Sequence, residues 1–244
     1  MKNNSLKMLS AELAKKGIAS LRFDKRGVAK SQQSGLKEAD LRFENYIQDA
    51  VSWVKLLKQN KNFSQIVVIG HSEGSLIGMV ASQNKNVDGF VSIAGAGQAA
   101  DQIIREQLKA QPHVVLDQST PILDELVKGN TVENVPQMLF SLFRPSVQPY
   151  MISWFRYDPQ IEIAKLKKPT LIVQGTTDIQ VSIEDAKRLL AAKSDAKLVV
   201  IEGMNHIFKN VEADRMKNIQ TYSQPDLPVN TELVDAICSF VLTK

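Results

Sequence analysis

One stretch constrains the fold of this 244-residue chain more than any other. Residues 66–78 read IVVIGHSEGSLIG: an apolar run enters the GHSEG turn at 70–74, and a short apolar helix pattern follows. This order of strand, G-x-S-x-G turn and helix is the context of a nucleophile elbow, which holds a serine hydroxyl clear of its neighbours. The pattern predicts Ser72 as a nucleophile, with the backbone amide of Glu73 facing a developing oxyanion. We expect crowding two positions before and two after the serine, so that glycine is needed at both.

Along the rest of the chain, helix-like apolar patterns alternate with short strand-like apolar runs. This alternation predicts an α/β fold with a mostly parallel sheet flanked by helices. Residues 98–160 break the alternation with helix-like stretches and several prolines. We therefore expect a core at 1–97 and 161–244 with a helical insertion at 98–160. The predicted helices are 3–16, 43–59, 183–192 and 231–241, and the predicted buried strands are 18–23, 66–69, 87–94, 169–175 and 197–201.

The composition excludes several classes of function. Hydrophobic residues make up 43% of the chain and charged residues 23%, as in ordinary globular proteins. No apolar run approaches the ~20 residues of a membrane helix, and no signal peptide opens the sequence as it stands, so the compartment is left open. The net charge of +4 comes from scattered lysines, so we expect no nucleic-acid partner. Three histidines and one cysteine, Cys238, offer no metal-ligand spacing, and Cys238 falls on the apolar face of the last helix.

A serine nucleophile needs a base, and each of the three histidines is a candidate. His71 adjoins Ser72 in the turn, where its side chain must leave in a different direction. His113 lies in the helical insertion, far from any strand end. His206 follows the predicted strand at 197–201 after a short loop, at the sheet edge where the elbow also lies. Elimination and position predict His206 as the base.

The base in turn needs a carboxylate that fixes its tautomer. Asp178 lies just beyond the preceding strand and reaches the same edge of the sheet. Asp158, before a proline, is typical of a turn or cap residue, and Asp185 lies in the first turn of a helix, where the helix dipole explains it. The sequence therefore favours Asp178.

These segments resemble the α/β-hydrolases, specifically the bacterial serine esterase and lysophospholipase-like group with a helical cap. The resemblance rests on GHSEG at 70–74, GTTD at 175–178 and DKRG at 24–27, and it covers nearly the whole sequence. It implies a cap at 98–160. It also implies that Asp24 and Arg26 brace the loop beside the active site.

The chain order Ser72, Asp178, His206 is the order of an α/β-hydrolase triad. The resemblance implies a carboxylesterase that cleaves small or medium acyl esters through an acyl-enzyme and needs no cofactor. Aromatic and Met side chains of the cap are candidates to line an acyl pocket, or alternatively to pack the cap on the body; they are Met138, Phe140, Phe143, Tyr150 and Trp154.

One piece of the family pattern is missing. In relatives, a strand and a Gly-rich loop that supplies the second oxyanion donor precede the first helix, whereas here that helix starts the sequence. The absent strand lies between the strands that correspond to 18–23 and 66–69, so we expect either an open slot or direct pairing of these two. A clipped chain or misassigned start, a partner chain that fills the gap (for instance in a homo-oligomer), and a rearranged enzyme remain open as explanations. Loss of one oxyanion donor costs roughly 10²–10³ in rate.

Other readings stay open at this point. Residues 95–100, GAGQAA, follow a strand and match G-x-G-x-x-A, with Asp117 about twenty residues further on, as in a dinucleotide-binding fingerprint. The same triad also serves thioesterases and serine aminopeptidases, and a catalytically impaired binding protein could retain it. An aminopeptidase would need carboxylates in the cap to bind the substrate amine; Asp124, Glu125 and Glu133 are candidates.

Overall fold

A computed structural model describes residues 3–35 and 37–243. Within them, four parallel strands form one sheet in the order β1-β2-β3-β4. The strands are β1 (Val67–His71), β2 (Gly89–Ile93), β3 (Thr170–Gly175) and β4 (Lys197–Ile201). The helices are α1 (Ser5–Lys15), α2 (Phe43–Gln59), α3 (Glu73–Ala81), α4 (Ala100–Leu108), α5 (His113–Lys128), α6 (Phe140–Phe143), α7 (Gln148–Trp154), α8 (Pro159–Ala164), α9 (Ile183–Ala192), α10 (Arg215–Thr221) and α11 (Thr231–Leu242). Short 3-10 helices lie at Ala29–Ser34, Glu38–Asp40 and Gln137–Leu139.

The sheet is covered on both faces, and successive residues of each strand point to opposite sides. Val91 of β2 and Leu171 of β3 pair in register and join one apolar cluster with α1 and α11. Their neighbours Phe90 and Ile172 belong to the opposite cluster, built with α2, α3 and α9. Both central strands are buried along their whole length. Burial on both faces explains why these strands are continuous apolar runs in the sequence.

The helical stretch between β2 and β3 forms an apolar cluster of its own. Leu123 and Leu126 of α5 pack there with Phe143 of α6 and Met151 of α7, and all four are buried. This separate cluster is consistent with the predicted helical insertion at 98–160, whose role as a distinct cap stays a prediction. Among the described residues, no helix combines the length and apolarity needed to cross a membrane.

The predicted buried strand at 18–23 is wrong. This segment belongs to no strand, and Leu21 and Phe23 are 39% and 42% exposed. Phe23 instead stacks on Trp53 of α2, with ring centroids 5.8 Å apart. Among the described strands, β1 pairs with β2 alone, so its other edge is free. Of the two expected arrangements, direct pairing with 18–23 is therefore absent. No described strand forms backbone hydrogen bonds along this segment, so its apolar composition alone does not make it a strand.

Side-chain bonds hold the loop after this segment. The guanidinium of Arg26 donates to both carboxylate oxygens of Asp49 on α2, one of them at 2.8 Å. Asp24 accepts a hydrogen bond from the backbone amide of Lys30 at 3.2 Å. Both residues therefore brace the loop, as the family resemblance implied.

Candidate active site

The turn at 70–74 has the geometry of a nucleophile elbow. Ser72 is the N-cap of α3 and has φ 55° and ψ −126°, a conformation that non-glycine residues rarely adopt. A side chain at Gly70 would place its Cβ 2.3 Å from the carbonyl oxygen of Gly74. At Gly74, a Cβ would meet nothing within 4 Å. The expectation of a required glycine is thus confirmed at Gly70 and wrong at Gly74, because the turn crowds its entry and opens at its exit.

Asp178 and His206 come together at the carboxyl ends of β3 and β4. The Nδ1 atom of His206 lies 2.8 Å from Oδ2 of Asp178, and both side chains are almost fully buried. Gln174 donates from Nε2 to the same oxygen at 3.2 Å. The backbone amides of Gln180 and Val181 donate to Oδ1 at 2.7 Å and 3.0 Å. Four donors thus fix the carboxylate, and a carboxylate held in this way keeps the Nδ1 proton of a neutral imidazole and exposes Nε2 as a base.

Helix α10, which the sequence did not suggest, anchors the loop that contains His206. Asn205 donates from Nδ2 to Thr221 of α10 at 2.8 Å, and its Oδ1 accepts from the amide of Lys209 at 2.9 Å. Asn218 of the same helix donates to the carbonyl of Thr177 at 2.6 Å, next to Asp178. The helix therefore ties both loops of the pair together. Asp214, its N-cap, accepts from the amide of Lys217 at 2.8 Å and is the sequence signal that would have located this helix.

His71 connects the elbow to the same loop. Its Nε2 atom lies 2.8 Å from the carbonyl oxygen of His206, and the two imidazole centroids are 4.7 Å apart. The Phe208 ring stands at 72° to the His71 ring, with centroids 4.6 Å apart. Burial lowers the pKa of His71 to about 3, and the neighbouring His206 acts in the same direction. The hydroxyl of Ser72 forms no hydrogen bond with a described residue, so His71 provides the direct link between elbow and base.

The side chain of Glu73, which follows the serine, connects three parts of the chain. Its carboxylate accepts hydrogen bonds from Lys25 in the loop after 18–23 and from the hydroxyl of Tyr150 on α7. The Lys25 ammonium also lies 4.8 Å from the ring centroid of Tyr46. Burial and the Glu73 carboxylate raise the pKa of Tyr150, so its phenol stays a donor. Sequence reasoning assigned Glu73 only a backbone role and did not identify Lys25.

A cavity of about 100 Å³ opens beside Ser72. Its lining is largely apolar; the residues are Ser72, Glu73, Leu76, Ala96, Gln98, Ala100, Ile103, Ile104, Gln107, Trp154, Pro159, Gln180 and Val181. Of the aromatic and Met candidates, Trp154 lines this cavity. Met138 and Phe140 are exposed, and Phe143 is buried in the cluster between α4 and α7. Tyr150 packs against Phe43 and bonds to Glu73 instead.

The glycines at 95 and 97 have packing roles that account for them without a bound dinucleotide. A Cβ at Gly95 would lie 2.4 Å from the hydroxyl of Ser75, and one at Gly97 would lie 2.3 Å from the carbonyl of Asp185. Asp117, the acidic residue of the dinucleotide-binding pattern, lies within helix α5. Close packing of α3 and α9 against this loop explains the motif.

The remaining candidates have structural roles. Asp158 caps α8 by accepting from the amide of Gln160, and Asp185 forms a capping box with Ser182 on α9. His113 is exposed at the start of α5. Cys238 is a buried free thiol whose pKa is raised by burial.

The carboxylates proposed for amine binding are held elsewhere. Glu125 of α5 accepts from Lys128 and Asn130, and Asp124 accepts from Arg105. Asp124, Glu125 and Glu133 are absent from the lining of the cavity beside Ser72.

A family model and a curated protein are similar to this chain. A family model described as serine aminopeptidase, S33, matches residues 3–162. Esterase EstD of Thermotoga maritima is 26% identical over 212 residues, which are 84% of this chain and 49% of that protein. This chain thus spans about half the length of its curated relative.

Solved structures share the fold. A bromoperoxidase from Bacillus anthracis superposes with a TM-score of 0.60 at 16% identity, over 99% of this chain and 88% of that chain. Est1E from Butyrivibrio proteoclasticus, solved with ferulic acid bound, gives 0.60 at 19% identity, over 96% and 83% of the two chains. This chain belongs to the serine aminopeptidase S33 family of the α/β-hydrolase superfamily.

Proposed function

We propose that the chain is a serine carboxylesterase that cleaves small or medium acyl esters through Ser72, His206 and Asp178. One observation carries this proposal: the His206–Asp178 pair, 2.8 Å apart, lies at the same sheet edge as the strained Ser72 turn. A buried carboxylate bonded to Nδ1 leaves Nε2 of the imidazole to accept a proton. The similarity to an esterase over most of the chain adds support.

The reaction would proceed in two steps. Nε2 of His206 takes the proton of Ser72 while Oγ bonds to the ester carbonyl carbon, and the backbone amide of Glu73 at the start of α3 stabilises the oxyanion. The imidazolium then gives its proton to the departing alkoxide. In the second step His206 takes a proton from water while the water oxygen bonds to the acyl carbon. The imidazolium then returns the proton to the departing Ser72 Oγ, which releases the acid and restores the free serine.

The cavity beside Ser72 favours a short acyl group. A volume of about 100 Å³ with an apolar lining suits a chain of a few carbons. The aminopeptidase alternative needs a free carboxylate for a substrate amine. Among the described residues, Glu73 is the one carboxylate that lines the cavity. The Lys25 ammonium already pairs with it, and the Tyr150 hydroxyl donates a hydrogen bond to it. A thioesterase would use the same groups, so the leaving group must be tested directly.

The test is hydrolysis of p-nitrophenyl acetate, butyrate and decanoate by the wild type and by Ser72→Ala, with His113→Ala as a matched surface control. We expect the wild type to turn over the two short esters and to turn over little decanoate. Ser72→Ala should lose this turnover, and His113→Ala should keep it. Acetyl thioester and alanine p-nitroanilide substrates separate the alternatives. Equal turnover by wild type and Ser72→Ala would refute the nucleophile assignment.

A further inference from the structure

His71 has a role that its position next to the nucleophile does not by itself suggest. Its side chain turns away from Ser72 and spans to the loop after β4, where Nε2 lies 2.8 Å from the carbonyl oxygen of His206. This contact joins residues 135 positions apart. It is a bond between the two loops that must align for proton transfer.

The chemistry of this contact fixes the state of His71. A carbonyl oxygen can only accept, so Nε2 must carry a proton and donate it. The ring packs against the imidazole of His206 and against the ring of Phe208. A ring packed in this way is costly to charge, because desolvation disfavours the imidazolium. His71 is thus a neutral donor of one tautomer.

Two constraints therefore act on the base from different directions. Asp178 fixes the orientation of the His206 ring through Nδ1, at 2.8 Å. His71 fixes the main chain of His206 relative to the elbow, through the carbonyl. A neutral neighbour also avoids repulsion when His206 becomes an imidazolium during acylation, whereas a protonated His71 ring at 4.7 Å would oppose that charge.

We propose that His71 is a positioning residue for the esterase reaction proposed above: its Nε2–H bond to the His206 carbonyl sets the distance between Ser72 and the base. The inference rests on that proposed function for its kinetic consequence. The contact itself does not depend on it.

The kinetic test compares two substitutions at His71. Gln places an amide donor near the position of Nε2, whereas Leu has similar bulk and no donor. We expect His71→Leu to lower kcat by about 10²-fold with KM little changed, as for a misplaced catalytic group, and to displace the acid limb of the pH profile. His71→Gln should recover most of the loss. Leu233→Ala, in α11 on the same side of the sheet, controls for destabilisation and should leave kcat per folded molecule unchanged.

A measurement on the wild type keeps the inference testable without turnover or variants. In protein labelled with ¹⁵N-histidine, we expect His71 as the neutral Nε2–H tautomer from pH 5 to pH 8. The Nδ1–H tautomer would overturn the proposal, and so would wild-type kcat in a folded His71→Leu variant.

A folded wild type without turnover would contradict the proposed function instead. In that case the NMR signal of the proton between His206 and Asp178 still tests the positioning role of His71. The proposal expects it to broaden in His71→Leu and to persist in His71→Gln; an unchanged resonance in both variants would overturn it.

Discussion

The two glycines of the elbow should respond in opposite ways to alanine. At Gly70 a Cβ would lie 2.3 Å from the carbonyl oxygen of Gly74 and 2.6 Å from Cα of Ser75, both backbone atoms that cannot rotate away. Overpacking of this kind costs about 3 kcal/mol. At Gly74 a Cβ meets nothing within 4 Å, and the residue lies in the first turn of α3 with no positive φ. Replacing a helical glycine with alanine there stabilises by up to about 1 kcal/mol.

The assay is urea denaturation of wild type, Gly70→Ala and Gly74→Ala, followed by circular dichroism, with thermal melts as a second measure. For a domain of this size 1 kcal/mol shifts Tm by about 2–4 °C, so we expect Gly70→Ala to melt about 6–12 °C below wild type. Gly74→Ala should melt at or slightly above the wild-type temperature. If Gly74→Ala destabilises as much as Gly70→Ala, the elbow is crowded on both sides of Ser72 and the geometric reasoning is refuted.

The other predictions concern charge and assembly. Asp178→Asn should lower kcat by about 10⁴-fold because the amide favours the wrong tautomer of the base, as ester hydrolysis at saturating substrate would show. The pKa of His71 is about 3 in the folded chain and about 6.5 in the unfolded chain, so the free energy of unfolding should fall as pH drops from about 6.5 to about 3. The loss should be about 2 kcal/mol at pH 5. Denaturation curves of His71→Gln should lack this pH-dependent loss. Burial lowers the pKa of Lys209, so its contribution to stability should rise with pH up to about 10.4, and Lys209→Met should flatten that rise. A second copy that fills the gap beside β1 stays a prediction; sedimentation velocity that finds only monomer would contradict it.

The parts of the fold that the sequence predicts best are those stabilised by local patterns. The helices at 43–59 and 183–192 and the strand at 197–201 have the predicted bounds, because amphipathic period and turn residues are local signals. The segment 18–23 also has an apolar pattern and still forms no strand. A strand requires hydrogen-bonding partners along its edge, and a partner lies elsewhere in the chain or outside it. Local pattern therefore identifies segments that can form a helix or a strand, but it does not show whether a candidate strand finds a hydrogen-bonding partner.

In the candidate site, too, some residues follow from local sequence patterns and others do not. Ser72, Asp178 and His206 were found because each follows a recognisable strand, and parallel strands bring their carboxyl ends to one edge. The residues that support them carry no such signal. Asn205 and Asn218 meet through a hydrogen bond at 3.2 Å, and neither belongs to a motif that marks it as part of a site.

Glu73 shows why such supporting contacts escape a sequence reading. Its backbone role follows from the turn alone, since any residue after the serine offers an amide. Its carboxylate, however, meets Lys25, 48 residues before it, and Tyr150, 77 residues after it. The first contact exists because the chain after 18–23 passes beside the elbow, and the second because α7 packs over it. Neither follows from the spacing of residues along the chain, so the side chain that ties the elbow to two distant segments became visible only in the folded structure.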